Sequence, residues 1–218
     1  MKSILIISAA LAITVTTHAQ FGGLGKKIPG IGGGTGSSSE SNVDLGKLES
    51  DSFDKVTPAA EKLYEASVLL NKALGLKIEE IKEEVANKSK KEVTIARISA
   101  SQQNFKAFGK AKESNIKMSP EQQQLFSQGR TKLDEGFAML VGVGVPIGFQ
   151  INEAIEPIKS NPTLALQYSG LMKLGLYCIK DVSQIAELNF KAWQIGKEAK
   201  VPGIPDSGPA KSFTPKKG

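Results

Sequence analysis

Histidine is nearly missing from this chain: His18 is the only one among 218 residues, and it lies inside a segment that reads as an export signal. Once that segment is removed, a histidine general base, a Ser–His or Cys–His nucleophile pair and His-ligated zinc or iron are all excluded. The Glu-x-x-His di-metal motif of helical bundles goes with them. Cysteine is as scarce. Cys178 stands alone, so no internal disulfide can form, and its apolar surroundings mark it as a small buried hydrophobe.

Arginine is the third shortage. Arg97 and Arg130 are the only two among 28 basic residues, the rest being lysine. Arginine supplies the bidentate fork that reads guanine or clamps phosphate, whereas dispersed lysine is mostly a solubilising point charge. Aromatic residues make up only 6% of the chain, too few for base-stacking platforms. No nucleic-acid partner is expected. The formal charge of +6, one unit of it on Lys2, leaves room for weak contact with anionic membrane surfaces.

Lys2, an apolar run over residues 4–15 and Thr17-His18-Ala19 before Gln20 give the order of a secretory signal. The run falls short of the roughly 20 residues a membrane span needs. Residues 1–19 are therefore expected to be cleaved near Ala19-Gln20, placing the product in the periplasm or outside the cell. No cysteine follows the cleavage point, which argues against a lipid anchor there.

Residues 20–56 open on a Gly/Ser-rich stretch without helical or alternating period and are expected to form a flexible leader. It lacks both the G-x-x-x-x-G-K-[ST] and G-x-G-x-x-G phosphate-loop patterns. Residues 201–218 carry four prolines and end in lysines, which predicts a disordered basic tail. Between them, residues 57–200 read as a helical bundle domain.

Thr57-Pro58 has the form of an N-cap with proline at the first helical position. Leu63, Leu70, Leu74, Ile78, Ile81 and Val85 then recur at helical spacing, predicting a helix from 57 to about 86 unless Gly75 ends it early. Ser89 to Glu92 has capping-box spacing for a second helix, to about 113. Ser119-Pro120-Glu121-Gln122 opens a third, with a kink or restart at Pro146 and an end near 160. Asn161-Pro162 opens the last, in which Leu164, Leu171, Cys178, Ile185 and Ala192 fall at sevens until Val201-Pro202-Gly203 stops it. The expected fold is all-α: an elongated antiparallel bundle of about four long helices with flexible N- and C-terminal tails.

The sharpest feature is residues 136–152, seventeen positions without a charge between Glu135 and Glu153. Phe137, Leu140, Val141, Val143, Gly144, Val145, Gly148 and Phe149 make it a candidate membrane or interaction segment, and Gly144 to Gly148 has the G-x-x-x-G spacing of close helix contact. The competing reading is the charge-free inside of a bundle, with residues 171–179 packed opposite. That apolar hairpin resembles, in architecture, the one stored by elongated helical pore-forming toxins, although no motif of that family is present. Tyr177, Phe190 and Trp193 form a candidate partner face on the last helix.

Glu79, Glu80, Glu83 and Glu84 could hold a cation or supply acid–base chemistry, but Lys77, Lys82 and Lys88 interleave with them as on a solvated surface. Two S-x-x-K matches, at Ser52 and Ser114, lack the S-D-N and K-T-G partners of serine acyl-enzymes. No catalytic, cofactor-binding or metal-binding residue is therefore assigned. The expected function is that of an exported, non-enzymatic bundle that binds an unknown protein partner or itself. The alternative is a membrane-active protein inserting residues 136–152.

Overall fold

The computed structural model describes residues 43–217, and within them the chain is all-α, with four long helical rods and no strand. The segment expected to be an export signal and residues 20–42 of the expected leader lie outside the described residues. The first rod is α1 (Leu45–Ala73), and after a short α2 (Glu83–Ala86) the second is α3 (Lys90–Gly109). The third joins α4 (Pro120–Met139) to α5 (Val145–Ile155) through a π-turn, Leu140–Gly144. The fourth begins with α6 (Pro162–Gln167), steps at Tyr168 into α7 (Ser169–Leu176) and passes a second π-turn, Tyr177–Asp181, into α8 (Val182–Glu198).

The local signals that hold are caps. Ser89 and Ser119 each form a complete capping box, with Glu92 and Gln122 answering the cap's own backbone N–H. Asn161 accepts from the N–H groups of Thr163 and Leu164 at 3.1 and 3.3 Å. Each satisfies donors that a helix start would leave unpaired. Pro146 acts as expected on the third rod: it cannot donate to residue 142 and its ring crowds that carbonyl. The rod does not break but widens, Val145 N–H reaching back five residues to Leu140 O.

Two expectations for the first helix are corrected. It starts at Leu45, capped by Asp44, whose side chain accepts from Lys47 N at 3.0 Å, so residues 45–56 are helix rather than leader. Ser52, Phe53, Val56, Ala59, Ala60 and Leu63 are buried there. That stripe outweighs the missing N–H of Pro58 inside the helix. The helix also ends at Ala73, so of the two expected ends the early stop at Gly75 holds and the run to about 86 does not. Gly75, at φ +65°, lets Leu76 N donate to Asn71 O at 2.9 Å and Gly75 N to Lys72 O at 3.1 Å, the Schellman pattern.

The chain then descends as an irregular connector in the groove between α1 and α3. Asn71 Nδ2 donates to Lys77 O, Asn104 brackets Glu79 by accepting from its N and donating to its O, and Tyr64 Oη accepts from Ile81 N. These side chains, Asn71 and Asn104 buried and Tyr64 half-buried, satisfy backbone groups that a non-helical segment could not leave bare. The consequence is directional. Thr57 lies 2.8 Å from Thr94, and Asn104 donates to Ser67 at 3.1 Å, both pairs 37 residues apart; a constant offset means that α1 and α3 run parallel. The expectation of antiparallel neighbours fails for this pair because the connector is long enough to carry the chain back. The third rod is antiparallel to both neighbours, with Lys62 paired to Glu135 and Lys132 to Glu65 across α1–α4, and Gln123 bonded to Ala199 across α4–α8.

Inside, Leu171, Cys178, Ile185 and Ala192 are buried as the seven-residue row requires, with Leu174, Val182, Leu188 and Ile195 beside them. Leu164, at the row's start, is half-buried.

Residues 201–217 contain no helix or strand, as their prolines and glycines demand, but the expectation of a disordered tail is corrected. Val201 is buried, Ile204 Cδ1 lies near Gly196, Trp193 Nε1 donates to Pro205 O at 2.8 Å, and Phe213 meets Phe137 edge-on at 5.9 Å. Aromatic contacts hold this strap, and no sequence period announces them.

Candidate functional site

The predicted apolar segment is divided by the fold. Leu140, Gly144, Val145 and Gly148 are buried, and Phe137, Val141 and Phe149 are half-buried. The G-x-x-x-G pair is used within the molecule: a Cβ at Gly148 would meet Cys178 Cβ and Ile179 Cγ1 at 2.8 Å, and one at Gly175 would meet Ile151 Cγ2 at 2.7 Å. Residues 171–179 do pack opposite this stretch. Val143, 42% exposed, and Met139, 40% exposed, share the outward side with Gly142 and Pro146.

The predicted partner face is divided too. Phe190 and Trp193 are in mutual contact, centroids 5.5 Å apart, and lie under the C-terminal strap. Tyr177 points elsewhere. The second π-turn turns it inward, at 3% exposure, toward α3. The three residues do not form one surface.

Tyr177 lines a cleft of about 390 Å³ between α3 and the α7–π-turn segment. Ile95, Ile98, Leu174 and Leu176 supply its apolar wall, and Ser99, Gln102, Tyr177 and Asp181 its polar groups, with Lys173 and Lys180 also lining it. Leu176 is half exposed. A second, much smaller space beneath shares Gln102, Tyr177 and Asp181.

Three features of the polar cluster bear on chemistry. The Tyr177 hydroxyl is buried with no hydrogen-bond partner among the described residues, an arrangement that costs about 1–3 kcal/mol and that folded proteins rarely keep. Burial, with Cys178 and Asp181 adding to it, holds that hydroxyl's pKa well above the usual phenol value, so it remains a neutral donor. Burial also raises the Asp181 carboxyl, while the hydrogen bond from Gln102 and the charge of Lys180 pull it down. Cys178 lies behind the cleft with its thiol pushed up to about 12, chiefly by burial and then by Asp181; it stays protonated at neutral pH and is a poor nucleophile.

The π-turn causes this arrangement. Its extra residue lets Tyr177 and Cys178 both face inward while Asp181 turns to α3, and π-turns within α-helices recur at functional sites. Sequence reading missed Gln102 and Asp181. An available signal was Asp181 itself, an acidic residue between Cys178 and Ile185 on the apolar row.

Comparison with protein-family models, curated proteins and solved structures finds no match to this chain. The class that fold and cleft define is an all-α helical bundle with a lateral, half-open cavity.

Proposed function

We propose that this chain is an exported, non-catalytic binding protein whose α3–α7 cleft takes a small amphipathic anion. The observation that carries the reading is Tyr177, which lines a cavity of ligand size and whose hydroxyl, buried at its edge, has no hydrogen-bond partner among the described residues. A mostly apolar wall with a few convergent polar groups is the usual form of a small-molecule site. In the complex, Ile95, Ile98, Leu174 and Leu176 shield the apolar body, Lys173 and Lys180 attract the charge, and Tyr177 donates to the head. The non-catalytic part is supported by the cluster's chemistry: a neutral phenol, a hydrogen-bonded carboxyl and a protonated thiol include no nucleophile held by a base. The export part rests on residues 1–20.

The test is titration of the mature protein with anilinonaphthalene sulfonate, an amphipathic anion whose emission rises in apolar sites. Saturable one-to-one binding that weakens about tenfold in Tyr177→Phe, roughly 1.4 kcal/mol, and again in Leu176→Asp supports the reading. Absence of binding, or binding indifferent to both substitutions, removes it.

A second reading, membrane insertion, has one observation in its favour: the helical stretch Pro120–Ile158 is long and apolar enough, by length and composition, to cross a bilayer. Its outward residues Met139, Gly142, Val143 and Pro146 carry no charge. Liposome leakage by the mature chain, lost in Val143→Asp, favours insertion. A protein that leaves liposomes intact removes it.

A further inference from the structure

The C-terminal strap makes contacts that resemble recognition more than tail packing. Trp193 Nε1 donates to the carbonyl of Pro205 at 2.8 Å. Gly208 lies flat on the same indole, so close that a Cβ there would sit 2.7 Å from Trp193 Cδ2. Lys197 pairs with Asp206 at 2.8 Å on one side of the ring, and Lys211 stands 6.0 Å over Phe190 on the other. Farther along, Phe213 is edge-on to Phe137, and Lys217 pairs with Glu153. An aromatic row with an indole N–H aimed at a peptide carbonyl is the chemistry by which grooves take extended, proline-containing chains.

The strap is also built to leave. It has no helix or strand of its own, none of residues 202–217 is fully buried, and its anchor is Val201 at the end of α8. Just before that anchor Lys200 holds φ +55°, and just after it Gly203 holds φ +81°. Lys200 is a side-chain-bearing residue in the left-handed region, held there by the bonds that close α8, Lys200 N to Lys197 O at 3.2 Å and Val201 N to Gly196 O at 2.9 Å, in a conformation that glycine takes more readily. Segments of this kind open locally without disturbing a core, and strained hinges favour exchange of the segment between copies.

We propose that the aromatic face of α8 is a docking site for extended proline- and glycine-rich chain, filled in cis by residues 204–213, and that its occupant in trans is the same segment of a second copy. Every contact above can be remade between two molecules, so reciprocal exchange gives a two-fold dimer that leaves each bundle intact. The tether favours cis occupancy until protein concentration approaches the effective concentration of the tail, on the order of millimolar. The dimer therefore grows with concentration.

Trp193 is the only tryptophan in the chain, so its emission reports the groove directly. In full-length Gly208→Val the side chain strikes the indole and lifts the strap, while circular dichroism stays at the wild-type level because the strap contains no helix. Emission shifts to the red, and a synthetic peptide of residues 202–217 with the native sequence reverses the shift saturably. The same peptide with Val at 208 binds at least tenfold more weakly. Asp206→Lys, which reverses one charge, shifts emission the same way by less. Light scattering of the wild type shows a dimer fraction rising with concentration, absent in Gly208→Val. The proposal is overturned by wild-type emission in both variants, by a peptide without effect on the variant, or by a wild type monomeric up to millimolar concentration.

Discussion

The seam between α1 and α4 and the seam between α3 and the α7–α8 rod both join neighbouring helices, yet one is closed and the other gapes. Across the first, Gly129 and Gly136 bring the backbones together: a Cβ at Gly136 would lie 2.7 Å from Leu63 Cγ, and one at Gly129 3.0 Å from Leu70 N. Lys62–Glu135 and Lys132–Glu65 at 2.7 and 2.8 Å cover the edges. Across the second, Ser99, Gln102, Tyr177 and Asp181 take places where apolar side chains would interlock, and about 390 Å³ stays open. Apolar residues beside glycine let rods approach to native packing density. Polar groups that need partners hold them apart, and the space so kept is where a ligand's atoms can contribute.

The difference can be broken most forcefully at Gly136. Gly136→Val pushes two methyl groups into Leu63 and its backbone and should cost about 3 kcal/mol in urea unfolding, the upper range for overpacking. A loss under about 1 kcal/mol would mean that the α1–α4 seam has slack. In the open seam Leu176→Ala should change stability by no more than about 0.5 kcal/mol, since half of that side chain already meets water and exposed substitutions stay in that range.

The smallest expected effect is at Asp181. Burial raises its folded carboxyl pKa, so the folded state holds the proton more tightly than the unfolded chain. The resulting stability is full below the ordinary carboxylate pKa and is lost as pH rises through the folded value. Asp181→Asn should thus be more stable than wild type at neutral pH, by a few tenths of a kcal/mol after solvent screening. Its advantage should vanish in acid. An advantage that grew on acidification would reverse the assigned cause.

What the sequence made legible was whatever one segment settles alone. The caps at Ser89, Ser119 and Asn161 bond within three residues, and the row Leu171, Cys178, Ile185, Ala192 repeats along one rod. Thr57-Pro58 misled because cap and proline are also local signals, here overridden by Phe53 and Val56 in the core. The return of the connector depends on Asn104, which catches the backbone of Glu79 from 25 residues away and receives the Asn71 amide on its own carbonyl, pairings that no local period announces. The cleft is a product of the same kind. Gln102 and Asp181 are 79 residues apart, and Tyr177 faces them only because a π-turn without proline widens the helix there. Phe190 and Trp193 were legible as a surface, but their covering by Pro205 and Gly208 was not.

On the proposed reading, Tyr177 keeps a hydroxyl without a partner at the edge of the cleft, at a cost in stability that a ligand's acceptor recovers. Urea unfolding and anilinonaphthalene sulfonate binding, measured on the same preparations of wild type and Tyr177→Phe, decide whether it does. The variant should be about 1 kcal/mol more stable, with an affinity for the probe about tenfold lower. A variant no more stable than wild type that binds the probe equally well would contradict it.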